Sequence, residues 1–164
     1  MQIVVGFGAN LGDPAEAFRR ALDSLGSKHE IIALSSLFST RPEGPKQPDY
    51  LNLAALLEVR DDPAALLAGC RQLERDAGRD RSREQRWGPR TLDLDLLIAR
   101  GVVHRGPELV LPHPRFAERA FALLPASELA PSWTHPVLGR TIVELATEAE
   151  RRDPDAVLTR EPFT

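Results

Sequence analysis

The chain has 164 residues, 42% of them apolar and 27% charged, with a formal net charge of −3. That length makes one domain over 1–164, able to bury roughly 70% of the surface its unfolded form exposes, and the composition excludes a disordered chain. The charge argues against nucleic acid or an anionic membrane as partner, no apolar run approaches a membrane span, and the lone Cys70 excludes an internal disulfide framework. Met1 runs directly into Ile3-Val4-Val5 without a basic or apolar leader, so a cytoplasmic protein is expected.

Ile3 to Phe7 reads as a buried strand, ended by Gly6, Gly8 and Gly12 in a tight strand-to-helix turn. Asp13 caps a first helix, with Pro14 in its first turn, Glu16 at the capping-box position and Ala15, Phe18, Leu22 and Leu25 at helical spacing up to Gly26. Ile31 to Thr40 is a second strand. Arg41 to Asp49 carries three prolines and one glycine and is an irregular loop, and Tyr50 to Val59 is a third strand. Pro63 opens a second helix with Leu66, Leu67, Cys70 and Leu73 on one side, ending near Gly78. Arg79 to Arg90 has no periodicity, and aperiodic connections that long are usually functional or disordered. Thr91 to Ile98 alternates strictly as a strand, with Val102 to Leu111 as its hairpin arm. Pro114 begins a third helix to about Leu124, and Ile142 to Arg151 is a fourth. The order β-α-β-β-α-β predicts an α+β fold with a ferredoxin-like core, extra strands and helices, and three layers, α-β-α.

Charge is concentrated in one window. Between Arg71 and Arg90 stand seven arginines against four acids, so the window is +3 and the remainder −6. Such a cluster suits a compact polyphosphate, but by itself it is more often a solvated helix face and loop, and needs a second observation to become a site. The segment Thr91-Leu92-Asp93-Leu94-Asp95-Leu96 adds a second signal. Alternation puts the three leucines on the core face and Asp93 with Asp95 on the other. Two adjacent carboxylates repel each other, and Mg²⁺ accepts one or two carboxylates while taking its other ligands from water and phosphate. Asp is a poor strand former, so the pair reads either as a metal site or as an amphipathic strand showing acids to water, and the arginines just upstream favour the metal.

His113-Pro114 would set a histidine at a helix start, with Arg115 and Arg119 one turn apart and able to reach one anion. Tyr50 and Asn52 share a strand face, offering a ring and an amide to a planar heterocycle. Gly6-Phe7-Gly8-Ala9-Asn10-Leu11-Gly12 fails the dinucleotide fingerprint at Leu11, and no P-loop sequence is present. Cys70, on the apolar side of its helix, is packing.

Four segments taken together, GFGANLGD (6–13), GPKQPDYLN (44–52), RWGPRTLDLDLL (86–97) and LPHPRFAERAF (111–121), closely resemble the signatures of the 6-hydroxymethyl-7,8-dihydropterin pyrophosphokinase family of folate biosynthesis. The likeness runs in order from Ile3 to about Pro131, where ELAP (128–131) is also family-like. It implies transfer of the β,γ-diphosphate of ATP to the pterin's hydroxymethyl oxygen, releasing AMP. It further implies that Asp93 and Asp95 hold two Mg²⁺ ions, that Arg90, His113 and Arg119 neutralise the phosphates, and that Glu74 and the backbone near Leu96 and Val110 surround the nucleoside. Tyr50 and Phe121 would sandwich the pterin, with Asn52 and the backbone near Thr40 and Glu43 reading its edges. Trp87 would ride on the loop that closes over both substrates. ATP and the pterin are then the partners, with no nucleic acid, membrane or obligate protein partner expected.

The chain departs from the family pattern at three places. Ala9 stands where Ser is usual, Arg41 and Glu43 add charge to the pterin-side loop, and Arg79 to Trp87 is one residue longer than common versions. The extra residue leaves open whether Arg81 or Arg83 takes a phosphate-contacting position, whereas Arg86 directly precedes Trp-Gly-Pro. A non-catalytic nucleotide or pterin sensor on the same fold should lack one of Asp93, Asp95, His113 and Arg119, and all four are present. A ferredoxin-like RNA-binding module should show sheet aromatics and a basic face, and here the sheet offers acids.

Overall fold

The computed structural model describes residues 1–164. In chain order the elements are β1 (Gln2–Ala9), α1 (Pro14–Gly26), β2 (Glu30–Leu34), β3 (Leu37–Thr40), β4 (Tyr50–Glu58), α2 (Pro63–Asp76), β5 (Asp93–Ala99), β6 (His104–Arg105), β7 (Val110–Leu111), a 3₁₀ turn (Phe116–Glu118), α3 (Ala120–Leu129), α4 (Ile142–Arg152) and β8 (Val157–Glu161). The main sheet is antiparallel in the order β5-β1-β4-β3-β8, with β2 also paired to β4. Placing β5 beside β1 and β4 between β1 and β3 is the split βαβ arrangement, so the expected α+β ferredoxin-like class holds.

Period-two burial divides the sheet between two cores. Ile3, Val5, Phe7, Leu53, Ala55, Leu57, Leu94 and Leu96 pack against Phe18, Leu22 and Leu25 of α1 and Leu66 and Cys70 of α2. Val4, Ala54, Leu56, Leu97 and Ile98 pack on the other face against Leu123 and Ala126 of α3 and Ile142, Leu145 and Ala149 of α4. The result is α-β-α. Asp13 caps α1 by accepting the Glu16 N–H at 3.2 Å, and Asp62 caps α2 through Ala64 N–H at 2.8 Å.

The β5 pairing slips by one residue, from Val5↔Leu96 to Val4↔Ile98, leaving Leu97 unpaired in a bulge. The bulge turns the Leu97 carbonyl to accept the His113 N–H at 2.8 Å, which draws the chain after β7 onto β5.

Several local expectations fail for tertiary reasons. Gly6 and Gly8 do not end β1; both pair inside it, and only Gly12, at φ +70°, makes the turn. The expected strand over 31–40 is two, broken at Ser35, whose side chain accepts the Ala54 N–H at 2.8 Å, and Ser36, whose N–H is taken by Glu128 at 2.6 Å. Val102–Leu111 is not a hairpin arm of β5: beyond one bridge from Ala99 to Val102, its strands β6 and β7 pair with each other, while β1 pairs with β5. The third helix does not start at Pro114. A 3₁₀ turn ends at Arg119, extended at φ −111° and ψ 109°, and α3 follows with Pro125 inside it. His113 therefore heads no α-helix, and the helix-dipole argument for it lapses. Strand β8 was unforeseen: its VLTRE sequence buries no residue fully and pairs with β3 at the sheet edge.

Candidate active site

A cleft of about 370 Å³ opens on the α3 face of the sheet. Its floor comes from Gly6 and Gly8 on β1, Tyr50 and Asn52 on β4, and Asp93 and Asp95 on β5, which register brings side by side: Gly8 pairs with Asn52 on one flank and Asp93 on the other. A Cβ at Gly8 would stand 3.3 Å from the Asn52 Oδ1, so glycine keeps this floor open. Loops 41–49 and 77–92 and the segment His113–Phe121 form the walls.

One end is neutral. Asn52 and Thr40 are 4% and 2% exposed, and Asn52 Nδ2 donates to Thr40 Oγ1 at 2.6 Å. The Tyr50 hydroxyl donates to the Gly88 carbonyl at 2.8 Å, and its phenol is pushed up to about 12 by burial and the nearby Asp93 charge. Phe121, in the first turn of α3, completes this end.

The other end is charged. The Arg79 side chain is 3% exposed, and its Nη1 lies 2.7 Å from both Asp93 Oδ1 and Glu74 Oε1. Its Nε and Nη2 also pair with Glu84, and Glu84 Oε2 lies 3.3 Å from Arg90 Nη1. Arg81 reaches Glu74 at 2.7 Å. Burial pushes the Glu74 carboxyl up, while the Leu94 N–H and Arg81 pull against it. Asp95 is raised to about 7 by burial and the Asp93 charge, and His113 Nε2 lies 3.9 Å from Asp95 Oδ1. Burial and Arg119 hold the His113 ring below its usual range, so it stays neutral at pH 7. Arg119 Nε is buried without a hydrogen-bond partner, an unspent donor in the cleft wall.

The two long loops dock on each other. Gln47 Nε2 donates to the Trp87 carbonyl at 2.7 Å, and Trp87 holds φ 65°. Asn10 Nδ2 donates to Gln47 and to Pro48 O at 2.8 Å, while its Oδ1 accepts the Arg90 N–H at 2.8 Å. Asn10 thus joins the glycine turn to both loops. The Trp87 ring carries the guanidinium groups of Arg115 at 4.3 Å, Arg86 at 5.4 Å and Arg119 at 5.6 Å.

Of the residues singled out in the sequence, Thr40, Glu43, Tyr50, Asn52, Arg81, Arg86, Trp87, Arg90, Asp93, Asp95, His113, Arg119 and Phe121 all line the cleft. Arg83 turns outward, 88% exposed and paired with Asp80. Glu74, Leu96 and Val110 lie outside the cleft. Glu74 is 1% exposed under Arg79, Leu96 is in the core, and Val110 is exposed on β7. Sequence reasoning missed Arg79, Asn10 and Gln47 as cleft-building residues, whereas Arg115, paired in the sequence with Arg119 as a reach for one anion, does line the cleft. Asn10, a polar residue inside a glycine motif, carried a readable signal; Arg79 carried none, because an arginine with acids five residues to either side reads as a solvated loop residue until the fold buries it.

The donor set fits a hard divalent cation bound together with its substrate. No group of three or more His, Cys, Asp or Glu could hold a metal alone, yet two carboxylates share one strand face and one of them resists ionising there.

The family model for 7,8-dihydro-6-hydroxymethylpterin-pyrophosphokinase matches residues 4–131. The chain belongs to this family. It is 37% identical over 149 residues to a 2-amino-4-hydroxy-6-hydroxymethyldihydropteridine pyrophosphokinase of Synechocystis, covering 90% of this chain and 75% of the relative. A Pseudomonas aeruginosa pyrophosphokinase of the same name is 38% identical over 147 residues, covering 88% of this chain and 89% of the relative. Among solved structures, a Plasmodium falciparum HPPK-DHPS chain superposes with a TM-score of 0.71 at 16% identity. That alignment covers 92% of this chain and 44% of the other, so this pyrophosphokinase spans less than half of the solved chain. The segment WGPRTLDLD (87–95), inside the matched residues, forms the loop and strand that build the charged end of the cleft. No helix is long and apolar enough to cross a membrane.

Proposed function

We propose that the cleft binds ATP at its charged end and 6-hydroxymethyl-7,8-dihydropterin at its neutral end, and joins them by diphosphate transfer with release of AMP. Family membership gives the reaction class: the chain is an ATP-dependent diphosphotransferase of folate biosynthesis. The single observation that carries the assignment of ends is their contrast within one cleft, carboxylates and arginines facing an amide, a phenol and a phenyl ring.

Asp93 and Asp95 would hold two Mg²⁺ ions, which supply charge neutralisation to the polyphosphate when bound. Arg81, Arg86, Arg90 and Arg119 meet the phosphate oxygens and oppose the charge that builds on the departing AMP. His113, neutral at pH 7, offers a hydrogen bond rather than a charge. Tyr50 and Phe121 take the faces of the pterin, and Asn52, oriented by Thr40, takes its edge, which fixes the hydroxymethyl oxygen for in-line attack at the β-phosphorus. Its proton leaves to solvent or a phosphate oxygen, since transfer of this kind depends on positioning more than on a strong base. Trp87 and the docked loops exclude water that would otherwise hydrolyse ATP. Glu74 and the backbone near Leu96 and Val110 we assign to the nucleoside side, beneath and beside the charged end.

The test is to mix the protein with ATP, Mg²⁺ and the pterin and to separate the nucleotides by chromatography. AMP formed only with pterin present is expected. ADP would mean attack at the γ-phosphorus and a wrong arrangement of the ends, and binding of both substrates without turnover would favour a sensor.

A further inference from the structure

Arg79 and Glu84 face each other at the charged end in a way the transfer reaction does not require. Arg79 leaves α2 immediately after Gly78, at φ +91°, and turns its guanidinium inward until 3% of the side chain is exposed. There it spends Nη1 on Asp93 and Glu74, each at 2.7 Å, and both Nε and Nη2 on Glu84. Glu84 is one of two acids, with Asp80, in the arginine-rich stretch 79–90, and it also takes Arg90 Nη1 at 3.3 Å. Asp93, a cation ligand in the reading above, is thus already satisfied by an arginine. Two arginines of the phosphate end are satisfied by a carboxylate.

We infer that these contacts are a self-paired resting state, in which Arg79 stands in for the cation on Asp93 and Glu84 stands in for phosphate on Arg79 and Arg90. The inference rests on the assignment of ends made above. A divalent cation arriving alone would have to displace the buried Arg79 from Asp93, leaving that guanidinium with Glu74 and Glu84 and one carboxylate fewer. A polyphosphate arriving alone would have to expel Glu84 and bring its own negative charge against Asp93, which has Arg79 but no cation beside it. Arriving together, they exchange each pair for another of the same sign: carboxylate to cation, guanidinium to phosphate. Arg79 is a positioning residue in this scheme and Glu84 an internal competitor, so the site discriminates against either ligand alone.

The test measures each ligand separately in the full chain: Mn²⁺ alone by electron paramagnetic resonance, and ATP alone in EDTA by calorimetry. Arg79→Gln should tighten Mn²⁺ binding without nucleotide by about 10-fold, whereas Arg81→Gln, which removes the same charge beside Glu74, should change it less than about twofold. Glu84→Gln should tighten metal-free ATP binding by about fivefold or more. Arg79→Gln is checked by thermal melting; if it unfolds, Glu84→Gln carries the test, since that side chain is 19% exposed in a loop. ATP affinity in EDTA unchanged by Glu84→Gln, or equal Mn²⁺ gains for Arg79→Gln and Arg81→Gln, would overturn the resting state. If those results came from a parent protein that binds Mn·ATP and releases AMP with pterin, only this inference would fall. A parent that binds no Mn·ATP would remove the assignment of ends and this inference with it.

Discussion

At the neutral end of the cleft, Asn52 and Thr40 sit on neighbouring strands and hold each other at 2.6 Å, fixed by the β3–β4 register. At the charged end, Arg79 is held by Glu74 from α2, Glu84 from a loop and Asp93 from β5. The first pair is neutral and strand-borne, so it recognises an edge without rearranging. The second set is ionic, and each member has alternative partners of equal charge. One end of the cleft is a template and the other an exchanger, and the contrast follows from which groups sit on sheet and which on loop.

The sharpest way to break the comparison is Asp95→Ala. Turnover measured as AMP release should fall about 1,000-fold or more, with the thermal midpoint kept and pterin affinity within about threefold. Activity near the parent's would sink the carboxylate pair as the metal-holding group. Next comes Tyr50→Ala, which should weaken pterin binding about 100-fold by calorimetry and ATP binding less than about threefold. Equal losses for both ligands would mean the ends are not separate.

Gly44→Ala tests how the loops join the ends. Gly44 holds φ +85°, and an added Cβ would stand 2.6 Å from the Trp87 Cβ. The strain should undock Trp87 and lower kcat about tenfold, with a midpoint lower by a few degrees. An unchanged kcat would show that docking of the two loops does not limit turnover.

The smallest expected effect concerns the charge on Asp95 in the presence of chelator. Its carboxyl titrates at about 7 in the folded chain, above the ordinary value of about 3.9 in an unfolded one, because burial and Asp93 disfavour its charge. The native state thus favours the protonated form, a stabilisation that is full below about pH 4 and lost as pH rises through about 7. The side chain keeps 35% of its surface in water, which moderates the effect. Asp95→Asn should raise the midpoint at pH 8 by about 1–3 °C and flatten its fall between pH 4 and 7. Parallel profiles for parent and variant would place the slope on other groups.

Local pattern was enough for β1, β4, β5, α1, α2 and α4, because the helices bury one face at a fixed period and the strands are short apolar runs buried on both faces of the sheet. It was also enough to put Asp93 and Asp95 on one face, since alternation along a strand needs no knowledge of the partner. It was not enough for β8, whose residues are almost all exposed and whose place is set by the open edge of β3. Nor could it show that Arg119 would fall between a 3₁₀ turn and α3, for the Leu97 bulge and its bond to His113 anchor that segment from 16 residues away in sequence.

By itself the sequence determined the β-α-β-β-α-β order of the core, the carboxylate pair, the arginine loop and the family to which they belong. Tertiary structure alone decided that Asn10 would tie three loops together, that Arg83 would face water while Arg81 faces the cleft, and that Arg79 would lie buried among three acids. Period and spacing report which face a side chain takes. The partner of a charge depends on which distant groups the fold brings within about 4 Å, where burial strengthens the attraction and makes an unpaired charge costly.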